Sequence, residues 1–160
     1  MNKRGDVIMT QESGRSLIEV IGVLAITAVM AVVAYELYGA MRARTTRAIA
    51  SADMEQIVKN VRLLMQPRGD YTGVSVNYLV KSGALRNTHA PIGGDDWSVT
   101  ASNDGQLFAI NLTGLSNGDC AYFTTAVPTW ATAVRVNGSI DDAGDHCLSS
   151  GNNLVSFIVE

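Results

Sequence analysis

The chain opens polar, turns apolar over one stretch, and then alternates in short steps to its end. Residues 1–14 (MNKRGDVIMTQESG) carry Lys3 and Arg4 and hold no apolar run of the kind that an ordinary secretory signal needs. From 16 to 35 charge disappears, except that Glu19 sits among Leu17, Ile18, Val20 and Ile21. As a helix this stretch reaches about 30 Å at 1.5 Å per residue, enough to span a bilayer. A carboxylate in such surroundings is costly and reads as a functional residue that needs a partner; a polar residue near a membrane-helix end that simply reaches the headgroups is the alternative. Small residues (Gly22, Ala25, Ala28, Ala31, Ala34) recur at every third place, a spacing that lets apolar helices approach closely.

Helical periodicity continues beyond the apolar run. Met54, Ile57, Val58, Val61, Leu64 and Met65 form one stripe, and Glu55 and Lys59 form an i, i+4 pair outside it. Pro67 and Gly69 then stop the helix. The pattern predicts one helix from about Ser16 to Gln66, with a second half built to cover a sheet. Further on, 77–85 reads as a short helix capped by Gly83, and 87–96, with Pro91 and Gly93-Gly94, as a turn-rich link. Strands are predicted at 97–101 and 106–112 around an Asn103-Asp104-Gly105 turn, at 120–124, at 133–136 before Asn137-Gly138, and at 154–159. The expected class is α+β: a long N-terminal helix, membrane-spanning in its first half, packed on a small antiparallel sheet. The expected divisions are a leader (1–14), an apolar helix (15–35), its amphipathic continuation (36–67) and a globular head (68–160). No internal repeat is visible.

Length and charge refine this picture. A chain of 160 residues suits one modest domain plus an anchor. The 12 basic and 15 acidic residues are unevenly placed. Arg42, Arg44, Arg47, Lys59, Arg62 and Arg68 face only Asp53 and Glu55 in the stalk. Beyond it Lys81, Arg86 and Arg135 are outnumbered by Asp70, Asp95, Asp96, Asp104, Asp119, Asp141, Asp142, Asp145 and Glu160. A basic stalk and an acidic head can attract one another between copies, although each single charge also reads simply as part of a solvated face. So acidic a head argues against nucleic acid as a partner.

Cys120 and Cys147 have no metal-ligand spacing and fit a disulfide closing a surface loop in an oxidising compartment; two buried free thiols are the alternative. Such a staple stabilises by roughly 3–4 kcal/mol in the chain-entropy picture. One enzyme signature occurs. Gly114-Leu115-Ser116-Asn117-Gly118 matches G-x-S-x-G, with Asp142 and His146 following in hydrolase order. That motif requires a helix after the serine, whereas 120–124 reads as a strand, so the match is taken as chance and no catalysis is expected. His89 and His146 stand alone, and Asp141, Asp142 and Asp145 lack EF-hand spacing, so neither metal nor cofactor is expected. Phosphate-binding loops are absent from the sequence.

The segment Gly14-Arg15-Ser16-Leu17-Ile18-Glu19-Val20 and the apolar helix behind it resemble the start of a class III signal-peptide protein, that is, a type IV pilin or pseudopilin. The features that carry the resemblance are the glycine before the cleavage point, the Leu-Ile-Glu-Val core with its glutamate at the fifth mature position, and the uninterrupted apolar run. Later features resemble the type IVb branch: Asp96-Trp97 before the hairpin, Gly118-Asp119-Cys120, Cys147 ahead of the last strand, and Glu36 where the other branch has a helix-bending proline.

The resemblance implies cleavage between Gly14 and Arg15 by a prepilin peptidase, leaving the anchor on the mature chain and Arg15 as its N-methylated first residue. Family members more often begin with Phe or Met there. It also implies an N-terminus on the cytoplasmic side, although Arg42, Arg44 and Arg47 would themselves be placed there by a positive-inside count. It implies non-covalent polymerisation into a helical homo-oligomeric filament, with Glu19 paired to the α-amino group of Arg15 in the next subunit. The expected partners are the pilus assembly machinery, the inner membrane before assembly and the cell surface after it. The 120–147 loop would line the subunit surface, making Trp130, Asp141, Asp142 and Asp145 candidates for neighbour contact; a variable solvent loop is the equal alternative. A type II secretion pseudopilin or minor pilin, of which some pseudopilins hold calcium in an acidic loop, is the alternative within the family. A monomeric membrane-anchored binding domain is the alternative outside it.

Overall fold

The computed structural model describes residues 12–140 and 146–160, with side chains from residue 17 onward. It contains helices α1 (Glu12–Met65), α2 (Val76–Lys81) and α3 (Asn117–Thr125), and strands β1 (Ser98–Ala101), β2 (Phe108–Leu115), β3 (Ala133–Val136) and β4 (Asn153–Val159). The chain divides into two units, one ending at Arg44 and the other running Thr45–Glu160.

In the first unit α1 carries the apolar run, and every side chain from 17 to 42 is exposed. This helix is long and apolar enough to cross a membrane. Its residues have high helix propensity or are β-branched and uninterrupted by proline, so the segment stays helical once its backbone bonds close on themselves.

The second unit holds the core. The predicted stripe is buried: Met54, Ile57, Val58, Val61 and Met65, joined by Ala50 one turn earlier, with Leu64 at the margin. Lys59 Nζ lies 2.7 Å from Glu55 Oε1 on the outer side, as the spacing suggested. The helix ends in a short tight turn (Gln66–Arg68) around Pro67, and Gly69 closes it at φ 81°, a conformation that costs other residues a Cβ clash. α2 starts at Ser75, whose Oγ accepts from Tyr78 N.

The four strands pair antiparallel in the order β1-β2-β4-β3. Burial alternates along β2 and β4, so one face meets α1 and the other faces out. Phe108, Ile110, Leu112, Val155, Phe157 and Val159 all point inward and are buried. Register slips once, between Leu112 and Leu115, where β2 runs beyond the predicted end. Asn137 (φ 50°) and Gly138 (φ 91°) make the tight turn that their sequence announces, with Val136 bridged to Ser139.

One predicted strand is wrong. Residues 120–124 are not extended but lie in α3. The stretch Cys-Ala-Tyr-Phe-Thr is rich in strand-favouring types, yet tertiary context overrides that preference. Ser116 caps the helix, its Oγ accepting from Asp119 N at 3.1 Å, and Cys120 and Phe123, three apart, turn together into the core. The Phe123 ring meets Phe157 edge-on at 5.9 Å, and Trp130 covers the same phenylalanine at 5.5 Å.

Candidate functional site

Two regions carry the candidate residues. In the first, Glu19 lies on α1, exposed, and among the described residues no cation contacts it. Gly14 and Arg15 fall within α1, but the side chains of 12–16 lie outside the described residues, as do residues 1–11. Among the described residues the side chains around Glu19 are apolar, with Leu17, Ile18, Val20, Ile21, Val23 and Leu24 each more than half exposed. A surface of this kind is stable only against lipid or against other apolar helices.

The second region is the disulfide-bounded segment. Cys120, in the first turns of α3, is bonded to Cys147 with a Cα–Cα distance of 5.9 Å, which settles the alternative of free thiols. The segment is tied by three asparagines: Asn153, which the sequence pattern did not single out, and Asn137 and Asn117, which it named only as a turn residue and as part of the G-x-S-x-G match. Asn153 is fully buried; its Oδ1 accepts from Leu148 N (2.6 Å) and from Asn137 Nδ2 (3.0 Å). Its Nδ2 donates to Leu148 O and to Leu115 O. Asn137 Nδ2 also donates to His146 O, and its Oδ1 accepts from Leu154 N. Asn117 Nδ2 donates to Cys147 O. The only sequence signal was an Asn at the start of an alternating apolar strand, where a buried amide must find several partners. Asp141, Asp142 and Asp145 lie outside the described residues. Trp130 is half-buried on Phe157 and so presents only part of its ring to a neighbour.

The charge contrast between stalk and head is partly used inside the chain. Arg47 Nε donates to Asp119 Oδ1 at 2.7 Å, and the guanidinium carbon lies 5.3 Å from the Tyr122 ring centroid. Asp119 in turn accepts from Ser116 Oγ at 2.6 Å. The strand–turn–helix context that the G-x-S-x-G match requires therefore exists, contrary to the sequence expectation: β2 ends at Leu115 and α3 begins at Asn117. The serine between them, however, is engaged as a helix cap, and of the two other matching residues Asp142 lies outside the described residues. The arrangement around Ser116 is that of a cap held by Asp119 and Arg47.

Among the described residues no group of three His, Cys, Asp or Glu side chains is placed to hold a metal. His89 Nδ1 is 3.7 Å from Asp95 Oδ1 on the surface. In the β1–β2 turn, the Asp104 carboxyl is held below its ordinary range by a hydrogen bond from Ser102 Oγ and, to a smaller degree, by one from Gln106 N.

No protein-family model matches the chain, and no curated protein matches it by sequence. Among solved structures it is similar to TcpA, a type IV pilin from Vibrio cholerae El Tor biotype, with a TM-score of 0.59 at 14% identity. The match covers 72% of this chain and 99% of TcpA. A long N-terminal helix packed in its later part on a small antiparallel sheet gives the chain the α+β fold of a type IV pilin.

Proposed function

We propose that this chain is the precursor of a structural pilin subunit, cleaved after Gly14, which polymerises non-covalently through its apolar helix into a type IVb-like filament on the cell surface. One observation carries the reading: the continuous run of exposed, mostly apolar side chains along α1 from 17 to 41, in a chain whose second unit builds a buried core of its own. Such a helix needs a bilayer before assembly and helices of other copies after it.

Within that bundle Glu19 supplies register. A carboxylate among apolar helices is strongly unfavourable alone and tolerable when paired, so a subunit settles only where a cation meets it. The α-amino group of Arg15 in the adjacent copy is that cation, and the Arg15 guanidinium offers a second one. N-methylation of Arg15 leaves the positive charge in place. The prepilin peptidase and the assembly machinery are the partners this route requires.

The test is to shear filaments from cells expressing the chain, image them, and determine the N-terminus of the subunit. Filaments built of a chain beginning at Arg15 support the reading. A chain beginning at Met1, or one that never leaves the membrane, contradicts it.

A further inference from the structure

The apolar face of α1 ends in an ordered sequence of side chains. Tyr35 is 80% exposed and Tyr38 67% exposed, and Arg42 follows at i+7 from Tyr35, so the three share one side of the helix. Arg44, also exposed, points to the opposite side at 100° per residue. Neither arginine is paired with a carboxylate among the described residues, unlike Arg47, which Asp119 holds. Glu36 is about 9 Å away along the axis from Arg42, too far to pair with it.

From Leu17 to Tyr38 the helix rises about 32 Å, the thickness of a hydrocarbon core. With that segment in the bilayer, both tyrosines lie at the boundary where amphipathic rings concentrate, and both guanidinium groups lie at the depth of the lipid phosphates. We infer that Arg42 and Arg44 form a cationic collar that binds the phosphates of anionic lipid headgroups, with Tyr35 and Tyr38 setting its depth. The inference rests on the membrane-stored state proposed above. Guanidinium groups suit phosphate because their fork of N–H donors matches its oxygens, and their placement on opposite sides lets one helix gather lipids around its circumference. The collar also gives these arginines a role that does not depend on which side of the membrane they occupy.

The experiment uses the full chain reconstituted in phosphatidylcholine bilayers containing either spin-labelled phosphatidylglycerol or spin-labelled phosphatidylcholine. A spanning chain produces a motionally restricted lipid population with both labels. The wild type is expected to prefer phosphatidylglycerol, and R42Q/R44Q to lower that preference about fivefold at low salt while retaining the restricted population. R42K/R44K is expected to keep most of it. Lys3, Arg4 and Arg15 are present in all three chains, so the difference between chains is the readout. An unchanged preference in R42Q/R44Q overturns the collar alone. Absence of restricted lipid with both labels overturns the membrane-spanning reading and the collar with it.

Discussion

Arg47 Nε lies 2.7 Å from Asp119 Oδ1, joining α1 to the first turn of α3 across 72 positions of sequence. Both side chains are 22% exposed, and the guanidinium also covers Tyr122. Charge-assisted bonds that are partly shielded from water exceed ordinary surface pairs. Arg47→Ala is expected to destabilise the fold by about 1–2 kcal/mol, and a double-mutant cycle with Asp119→Ala should return a coupling of about 1 kcal/mol. Chemical denaturation measures both. Purely additive effects would show that the contact contributes nothing beyond its two halves.

Ser116→Ala removes the cap of the same helix. A loss of about 1 kcal/mol in stability is expected, with no change of fold. Retained stability in a denaturation experiment would mean that Asp119 and Arg47 hold α3 without the hydroxyl.

The disulfide and the asparagine cluster hold overlapping segments by different means. Opening Cys120–Cys147 with C120S/C147S is expected to cost roughly 3 kcal/mol, largely by enlarging the unfolded ensemble. Asn153→Ala is expected to cost about 2–3 kcal/mol, because it removes a fully buried amide, orphans the buried Leu115 carbonyl and takes away the bonds to Leu148 and Asn137. Hydrogen exchange distinguishes the two: the disulfide variant should keep protection at Leu148 N, and Asn153→Ala should lose it.

Asp104 gives a local pH response. Its folded pKa is lowered from 3.8 by the bonds from Ser102 and Gln106. A depressed carboxyl contributes stability above its unfolded pKa and loses it as pH falls through the folded value. The β1–β2 turn should therefore loosen only below about pH 4, with the Asp104 carboxyl titrating below the ordinary range by NMR. Ser102→Ala should move that titration back upward.

Much of this architecture was legible in the residues. The i, i+3, i+4 stripe from Met54 to Met65 located the buried face of α1, and Asn137-Gly138 located a turn, because both patterns arise from local geometry. Residues 120–124 misled because Tyr, Phe and Thr favour strands in isolation, whereas their helix depends on a cap at Ser116 and a salt bridge from Arg47, remote in sequence. Asn153 was not legible because a buried amide is recognised by its partners, and those come from three separate segments, at Leu115, Asn137 and Leu148. Cys120 and Cys147 were readable as a pair from their number and spacing. The role of Glu19 depends on a second copy of the chain, which a single subunit does not display.

The central claim is that Glu19 registers one subunit against the next. It is tested most directly by expressing Glu19→Ala beside the wild type and imaging sheared surfaces by electron microscopy, with membrane fractions assayed in parallel. The account predicts that the variant accumulates as membrane-bound, cleaved monomer and forms no filaments. Filaments of normal number and length from Glu19→Ala would contradict it.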